Sequence, residues 1–213
     1  MKCFIIFFYT LIIILLTSVI TCAVDKKSDI NLVIKNEKRE DGKKAVTAVF
    51  VLKADPELVY ATLRDVEKFP EFMPGSADVE ILEKGDSYQI VKFSGSRGLF
   101  SADIVMKRII DDKNKRIEWC LVDGPPREVS GYWYVEKDKK NGSVLVHYSN
   151  HVNAGMLIPG FMVRKILFED IQKMVPNILK RVKSGGTWMS EEYLEKIKDG
   201  KTLKKALSQN IME

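Results

Sequence analysis

His147 and His151 stand four residues apart with Ser149 between them, and Cys120, Asp103, Glu118 and Tyr148 are the other side chains whose chemistry invites attention. Two imidazoles on one side of a strand suggest a metal site or a general base. Orientation argues against both. In an extended chain alternate residues share a face, so His147, Ser149 and His151 project together while Val144, Val146 and Tyr148 form an apolar row on the opposite side. The histidines are therefore expected to face solvent. Cys120 alternates with Trp119 and Leu121 and turns away from the apolar side, a poor place for a nucleophile. Asp103 and Glu118 read as solvated charges. The chain has no phosphate loop, no CxxC pair and no GxSxG elbow. Acid/base catalysis needs titratable groups inside a pocket, and Tyr148 is the one donor in the inward set. The expectation is no catalytic residue, no metal and no cofactor.

The strands that fix these orientations begin after Gly75. Six segments, ADVEILEKG, SYQIVKFSG, LFSADIVMKRIIDD, KRIEWCLVDG, REVSGYWYVEK and SVLVHYSNHV, read as strands separated by turn residues. Residues 45–52, valine-rich around Phe50, make a seventh. Asn141-Gly142 predicts a tight hairpin, so the strands flanking it should be antiparallel neighbours, and DDKNK reads as another turn. Phe100, Ala102, Ile104 and Met106 share a face against Ser101, Asp103 and Lys107; Ile117, Trp119 and Leu121 do likewise, as do Val129, Gly131, Trp133 and Val135. One face of the sheet is thus apolar and bulky. Small residues at Ala102 and Gly131 leave room for hollows.

Helical grammar appears in three places. ADPELVYATLRD has Asp55 as N-cap, Pro56 in the first turn and an end near Asp65. VEKFPEFMPG, bracketed by Pro70 and Pro74, gathers Phe69, Phe72 and Met73. Residues 156–185 predict one long helix whose stripe of Val163, Leu167, Ile171, Met174, Ile178 and Val182 faces a core. Phe161, Met162, Ile166, Phe168, Val175 and Leu179 widen the arc, and Pro176 deletes a hydrogen bond to Gln172 and kinks the rod. Such a helix suits a curved partner. Gly185-Gly186 predicts its stop. Beyond it two short helical patterns, broken at Asp199-Gly200, suggest a peripheral, mobile appendage.

At the other end an apolar run from Phe4 to Ile20 reads as an export signal over residues 1–23. Three fates stay open: cleavage after Ala23, retention as a membrane anchor, or lipidation at Cys22, where Thr21 departs from the favoured small residue. Residues 24–44, INLVI followed by a dense charge run, read as a linker or an edge strand. Cys3 and Cys22 fall in the leader, so after cleavage Cys120 alone remains and no internal disulfide forms. Stability must then come from burial in one domain, residues 45–184, with residues 185–213 as a helical tail. The net charge of +5 is mild and interleaved, which argues against a nucleic-acid partner. Arg164, Lys165, Lys173, Lys180, Arg181 and Lys183 outnumber Glu169 and Asp170 on the long helix. They either solvate it or let one edge make transient contact with an anionic membrane.

The element order is complete: an α+β chain with a seven-stranded curved antiparallel sheet, two short helices and a long C-terminal helix. It resembles the helix-grip fold of the START-like (SRPBCC) superfamily. The segments DPELVYATLRDVEKFPEFMPG, VDGPPREVSGYWYVE and HYSNHVNAGMLIPGFMVRKILFEDI are similar to those of the bacterial polyketide cyclase/dehydrase and lipid-transport family, which includes coenzyme Q-binding START domains. The likeness covers residues 45–182. It implies a pocket between sheet and helix that holds a hydrophobic small molecule, a lipid or a quinone. The expected lining is Phe69, Phe72, Met73, Phe100, Ile104, Met106, Trp119, Trp133, Val146, Tyr148, Ile166 and Met174, chosen from the inward faces. Tyr148, Asn150 and the indoles of Trp119 and Trp133 either orient a head group or satisfy one another. With export, the resemblance implies a carrier in the bacterial periplasm or envelope. A cyclase or dehydratase-like enzyme and a non-catalytic interaction module are the alternatives, because one scaffold serves many functions.

Overall fold

A computed structural model describes residues 30–76, 78–97, 100–138, 142–156 and 158–198. The leader, the sequence break at Asp199-Gly200 and the second helical pattern of the tail lie outside the described residues. No helix among those described is long and apolar enough to cross a membrane.

One antiparallel sheet carries the fold, with strands β1 (Asn31–Lys38), β2 (Lys44–Leu52), β3 (Asp78–Lys84), β4 (Tyr88–Arg97), β5 (Phe100–Asp111), β6 (Arg116–Asp123), β7 (Glu128–Lys137) and β8 (Val144–Asn153). Their spatial order is β1-β2-β8-β7-β6-β5-β4-β3. The sheet has eight strands, not seven. The extra one comes from the segment read as linker or edge strand: β1 pairs with β2 from Asn31↔Val51 to Lys38↔Lys44. It was hard to count because Ile30, Leu32 and Ile34 pack only partly buried against the core before the charges begin. An edge strand needs little burial, and its lysines and glutamates discourage further pairing. Strands β7 and β8 pair from Glu128↔Asn153 to Lys137↔Val144, as the Asn141-Gly142 signal requires. Register shifts at Ile81/Glu83 and Val105/Met106 bend the sheet.

Between β2 and β3 lie α1 (Pro56–Arg64), a single 3-10 turn (Val66–Lys68) and the short α2 (Phe69–Phe72). Asp55 caps α1 by accepting the Glu57 N–H at 2.7 Å, with Pro56 in the first turn. The long helix α3 (Gly160–Lys183) lies across the apolar face, burying Val163, Ile171, Met174, Val175, Ile178, Leu179 and Val182. All of these but Val163 meet Val46, Ala48, Phe50, Leu52, Val135, Val144 and Val146 in one cluster. The apolar arc does not all go to the core. Phe161 and Met162 at the start of α3 are 65% and 45% exposed. Gly185 and Gly186, both at positive φ, end the helix by donating to the carbonyls of Val182 and Arg181.

The start of the tail, expected to be peripheral and mobile, is tied down through Trp188 and Ser190. Arg181, grouped with the solvated basic edge on sequence, is buried and pairs with Glu71 of α2 at 2.6 Å. Its Nη1 also donates to the Trp188 carbonyl at 2.7 Å, and the Ser190 N–H donates to the Glu71 carbonyl at 2.8 Å. The ion pair seats α4 (Glu191–Lys198) beside α2.

Candidate ligand cavity

Between the sheet and α3 is a cavity of about 210 Å³. Alternation on the inner sheet face supplies most of its wall: Phe93 from β4, Met106 and Arg108 from β5, Trp119 from β6, Val129 and Trp133 from β7, Tyr148 and Asn150 from β8. Helix α3 adds Leu167, Asp170 and Met174, which are three and four residues apart and so share a face. The α2 turn closes one side with Phe69, Met73, Pro74 and Ser76.

Seven of the expected residues meet here: Phe69, Met73, Met106, Trp119, Trp133, Tyr148 and Met174. Phe72 and Val146 do not line the cavity, because they are sealed in the packed core at 1% and 0% exposure. Ile104 and Ile166 are partly buried and also lie off the wall. For Ile166 the reason is helical phase. Leu167, one residue on, falls on the face shared with Asp170 and Met174. The side chain of Phe100 lies outside the described residues.

The aromatic side is packed tightly. Trp133 and Tyr148 ring centroids are 4.4 Å apart, with Trp119 5.9 Å from Tyr148 and 6.2 Å from Trp133. Gly131 does not leave a hollow. A Cβ there would stand 2.5 Å from Cζ2 of Trp119 and would also strike the Ser149 carbonyl, so the glycine's space is filled by the indole. One polar contact closes within this wall: Trp119 Nε1–H donates to Asn150 Oδ1 at 3.2 Å. Burial pushes the Tyr148 pKa well above the ordinary phenol range, and the charge of Asp170 pushes it further. Tyr148 is thus a neutral hydroxyl at physiological pH.

Arg108 was missed on sequence. It is 3% exposed, and its guanidinium donates to Gln89 Oε1 at 2.7 Å and to the carbonyls of Leu63 at 3.0 Å and Arg64 at 3.3 Å. Those carbonyls end α1, where a cation meets the negative pole of the helix. Burial lowers its pKa to about 10. The signal lay in the alternation of β5, which continues from Met106 through Arg108 to the buried Ile110. Phe93 was legible the same way, since Lys92 beside it must face outward. Arg108 and Asp170 therefore join Tyr148 as titratable groups on the wall.

Outside the sheet the histidines are occupied as their orientation requires. His147 Nε2 is 2.9 Å from Glu136 Oε1 and its ring lies against Tyr134. His151 Nδ1 is 2.7 Å from the Lys44 carbonyl, with Nε2 3.3 Å from Glu128. Cys120 is exposed on the outer face. Ser149 is fully buried between them, and its Oγ has no hydrogen-bond partner among the described residues.

The architecture is shared with solved structures of low sequence identity. A STAR-related lipid transfer protein from Xanthomonas axonopodis is 19% identical over 73% of this chain and 94% of its own, with a TM-score of 0.58. A START superfamily protein from Mycobacterium smegmatis is 17% identical over 66% and 97%, also at 0.58. Human StAR-related lipid transfer protein 5 is 11% identical over 74% and 83%, at 0.56. No curated protein sequence matches the chain. Residues 52–178, well over half the chain, match the family described as polyketide cyclase / dehydrase and lipid transport. With the START-like helix-grip fold around its cavity, this chain belongs to that family.

Proposed function

We propose that the protein binds and carries a hydrophobic small molecule, lipid-like or quinone-like, in the gap between its curved sheet and α3, within the bacterial envelope. The cavity carries the reading: about 210 Å³ walled mainly by Phe69, Met73, Met106, Trp119, Trp133 and Met174. Withdrawing about ten methylenes from water at roughly 0.8 kcal/mol each gains about 8 kcal/mol before ordering costs, enough for weak to micromolar binding. The apolar run from Phe4 to Ile20 supports export. Exposed Met156, Phe161 and Met162 beside Arg164 and Lys165 suit transient contact with an anionic bilayer.

The second reading, a cyclase or dehydratase-like enzyme, draws on Arg108, Asp170 and Tyr148 in the same wall. It ranks second because Arg108 is engaged by Gln89 and the α1 carbonyls, and burial holds Tyr148 as a neutral phenol. Native mass spectrometry and solvent extraction of the protein purified from its own host test the carrier reading. One apolar molecule per chain is expected. A protein that is empty, and that after delipidation shows no tryptophan fluorescence change with any apolar probe, overturns it.

A further inference from the structure

The gap between sheet and helix does not end at the aromatic cavity. Towards the start of α3 lies a second cavity of about 200 Å³, which adjoins the first at Asn150 and Leu167. Their chemistry differs. The second is floored by Val46 and Val152 and carries Lys44 and Arg164 on its wall, with no aspartate or glutamate among its lining residues. Neither Lys44 nor Arg164 has an ion-pair partner among the described residues. The nearby carboxylate of Glu128 already serves Lys43 and His151. Helix α3 starts here with no side-chain cap and no acidic residue in its first turn, so its positive pole adds to the same field. By contrast the first cavity carries Asp170, and its one guanidinium is committed.

We infer that the ligand is an anionic amphiphile whose carboxylate or phosphate head sits between Lys44 and Arg164, with its chain passing Leu167 and Asn150 into the aromatic cavity. The inference rests on the proposed hydrophobic-ligand function and assigns the chemistry of the head. Two cations at a partly wet rim, each contributing up to about 1 kcal/mol, correspond to roughly a five- to thirtyfold preference for an anion over an isosteric neutral head.

Decanoate, decyl phosphate and decanol, titrated into the delipidated protein while the tryptophan emission is followed, test it directly. Both anions should bind more tightly than the alcohol at about 10 mM ionic strength, with the ratio shrinking towards one near 1 M, where the screening length falls from roughly 30 Å to 3 Å. The tighter of the two anions identifies the head as carboxylate or phosphate. In the double variant Lys44→Gln with Arg164→Gln, checked for an unchanged circular dichroism spectrum, the anion-to-alcohol ratio should collapse. A ratio near one in the wild type, or one that survives both substitutions, overturns the head-group site and leaves the cavity function standing. Failure of all three probes to bind overturns both.

Discussion

Replacing Gly131 with alanine asks whether the aromatic wall is as tightly fitted as its geometry implies. The position lies on β7 opposite Trp119 of β6 and Asn150 of β8, with Trp119↔Gly131 and Gly131↔Asn150 as register pairs. A single added methyl would stand 2.5 Å from Cζ2 and 2.6 Å from Cε2 of Trp119, and it would also meet the Ser149 carbonyl. The carbonyl belongs to the β8 backbone and cannot rotate away. The indole can move only by leaving Asn150, to which its Nε1–H donates at 3.2 Å. Overpacking of this kind costs about 1–3 kcal/mol, and losing the indole hydrogen bond in a partly buried site adds about 1 kcal/mol. For a domain of this size that total lowers Tm by roughly 4–16 °C. Thermal unfolding by circular dichroism measures it, and the ligand titration provides a second readout, because a displaced Trp119 enters the cavity. Adding Trp119→Leu should recover part of the loss, leaving the carbonyl contact as the remainder. A Gly131→Ala protein with wild-type Tm and wild-type ligand affinity would refute the close packing of this wall.

Leu167→Trp, which places a larger ring on the wall common to both cavities, should weaken binding of a ten-carbon probe by more than about tenfold in a fluorescence titration, the equivalent of about 1.4 kcal/mol. Arg181→Met removes the buried partner of the Glu71 carboxylate, which is 11% exposed and keeps only the exposed Lys68 at 3.4 Å. It should cost about 3–5 kcal/mol in a denaturant melt, with hydrogen exchange rising at Trp188 and Ser190. Arg108→Met strands the Gln89 amide oxygen and the terminal carbonyls of α1 while relieving the burial of a cation. The net loss expected is about 1–3 kcal/mol, read in the same assay. Tyr148 has a folded pKa raised by burial, so its contribution to stability is present below its unfolded value and is lost as pH rises. Unfolding free energy should therefore fall above about pH 10, and Tyr148→Phe should flatten that slope.

Most of the sheet was legible because a strand with one buried face must alternate, and the rule needs no knowledge of neighbours. It placed Trp119, Trp133, Tyr148 and Met106 on one side and both histidines on the other. What it could not supply was depth. Val146 and Tyr148 share a face two residues apart, yet one is sealed beneath α3 and the other reaches the cavity. That difference depends on where the helix crosses, which alternation along β8 does not encode. Helical phase presented the same limit. Ile166 and Leu167 both belong to a wide apolar arc, and only the position of the facing strands selects Leu167.

Charge was the harder case. Arg108 and Arg181 look like solvent residues by composition, since arginines are seldom fully buried without partners. Their partners lie far off in sequence: Leu63 and Gln89 for one, Glu71 for the other. Each buried arginine grips the α1–α2 region, Arg108 at the end of α1 and Arg181 at α2, and that region holds Phe69 and Met73 against the cavity. The side of the cavity closed by α2 is thus held by charge-assisted bonds as well as by the packing of Phe72 and Met73 in the core. Variation in those two arginines should therefore alter ligand affinity even though Arg181 does not touch the cavity. An Arg181→Lys protein, which keeps the charge but loses the forked reach to both Glu71 and the Trp188 carbonyl, separates the roles. Ligand affinity that falls while most of the stability is kept would place the effect on the position of α2. Affinity that stays at the wild-type value would make the pair a brace for the tail alone.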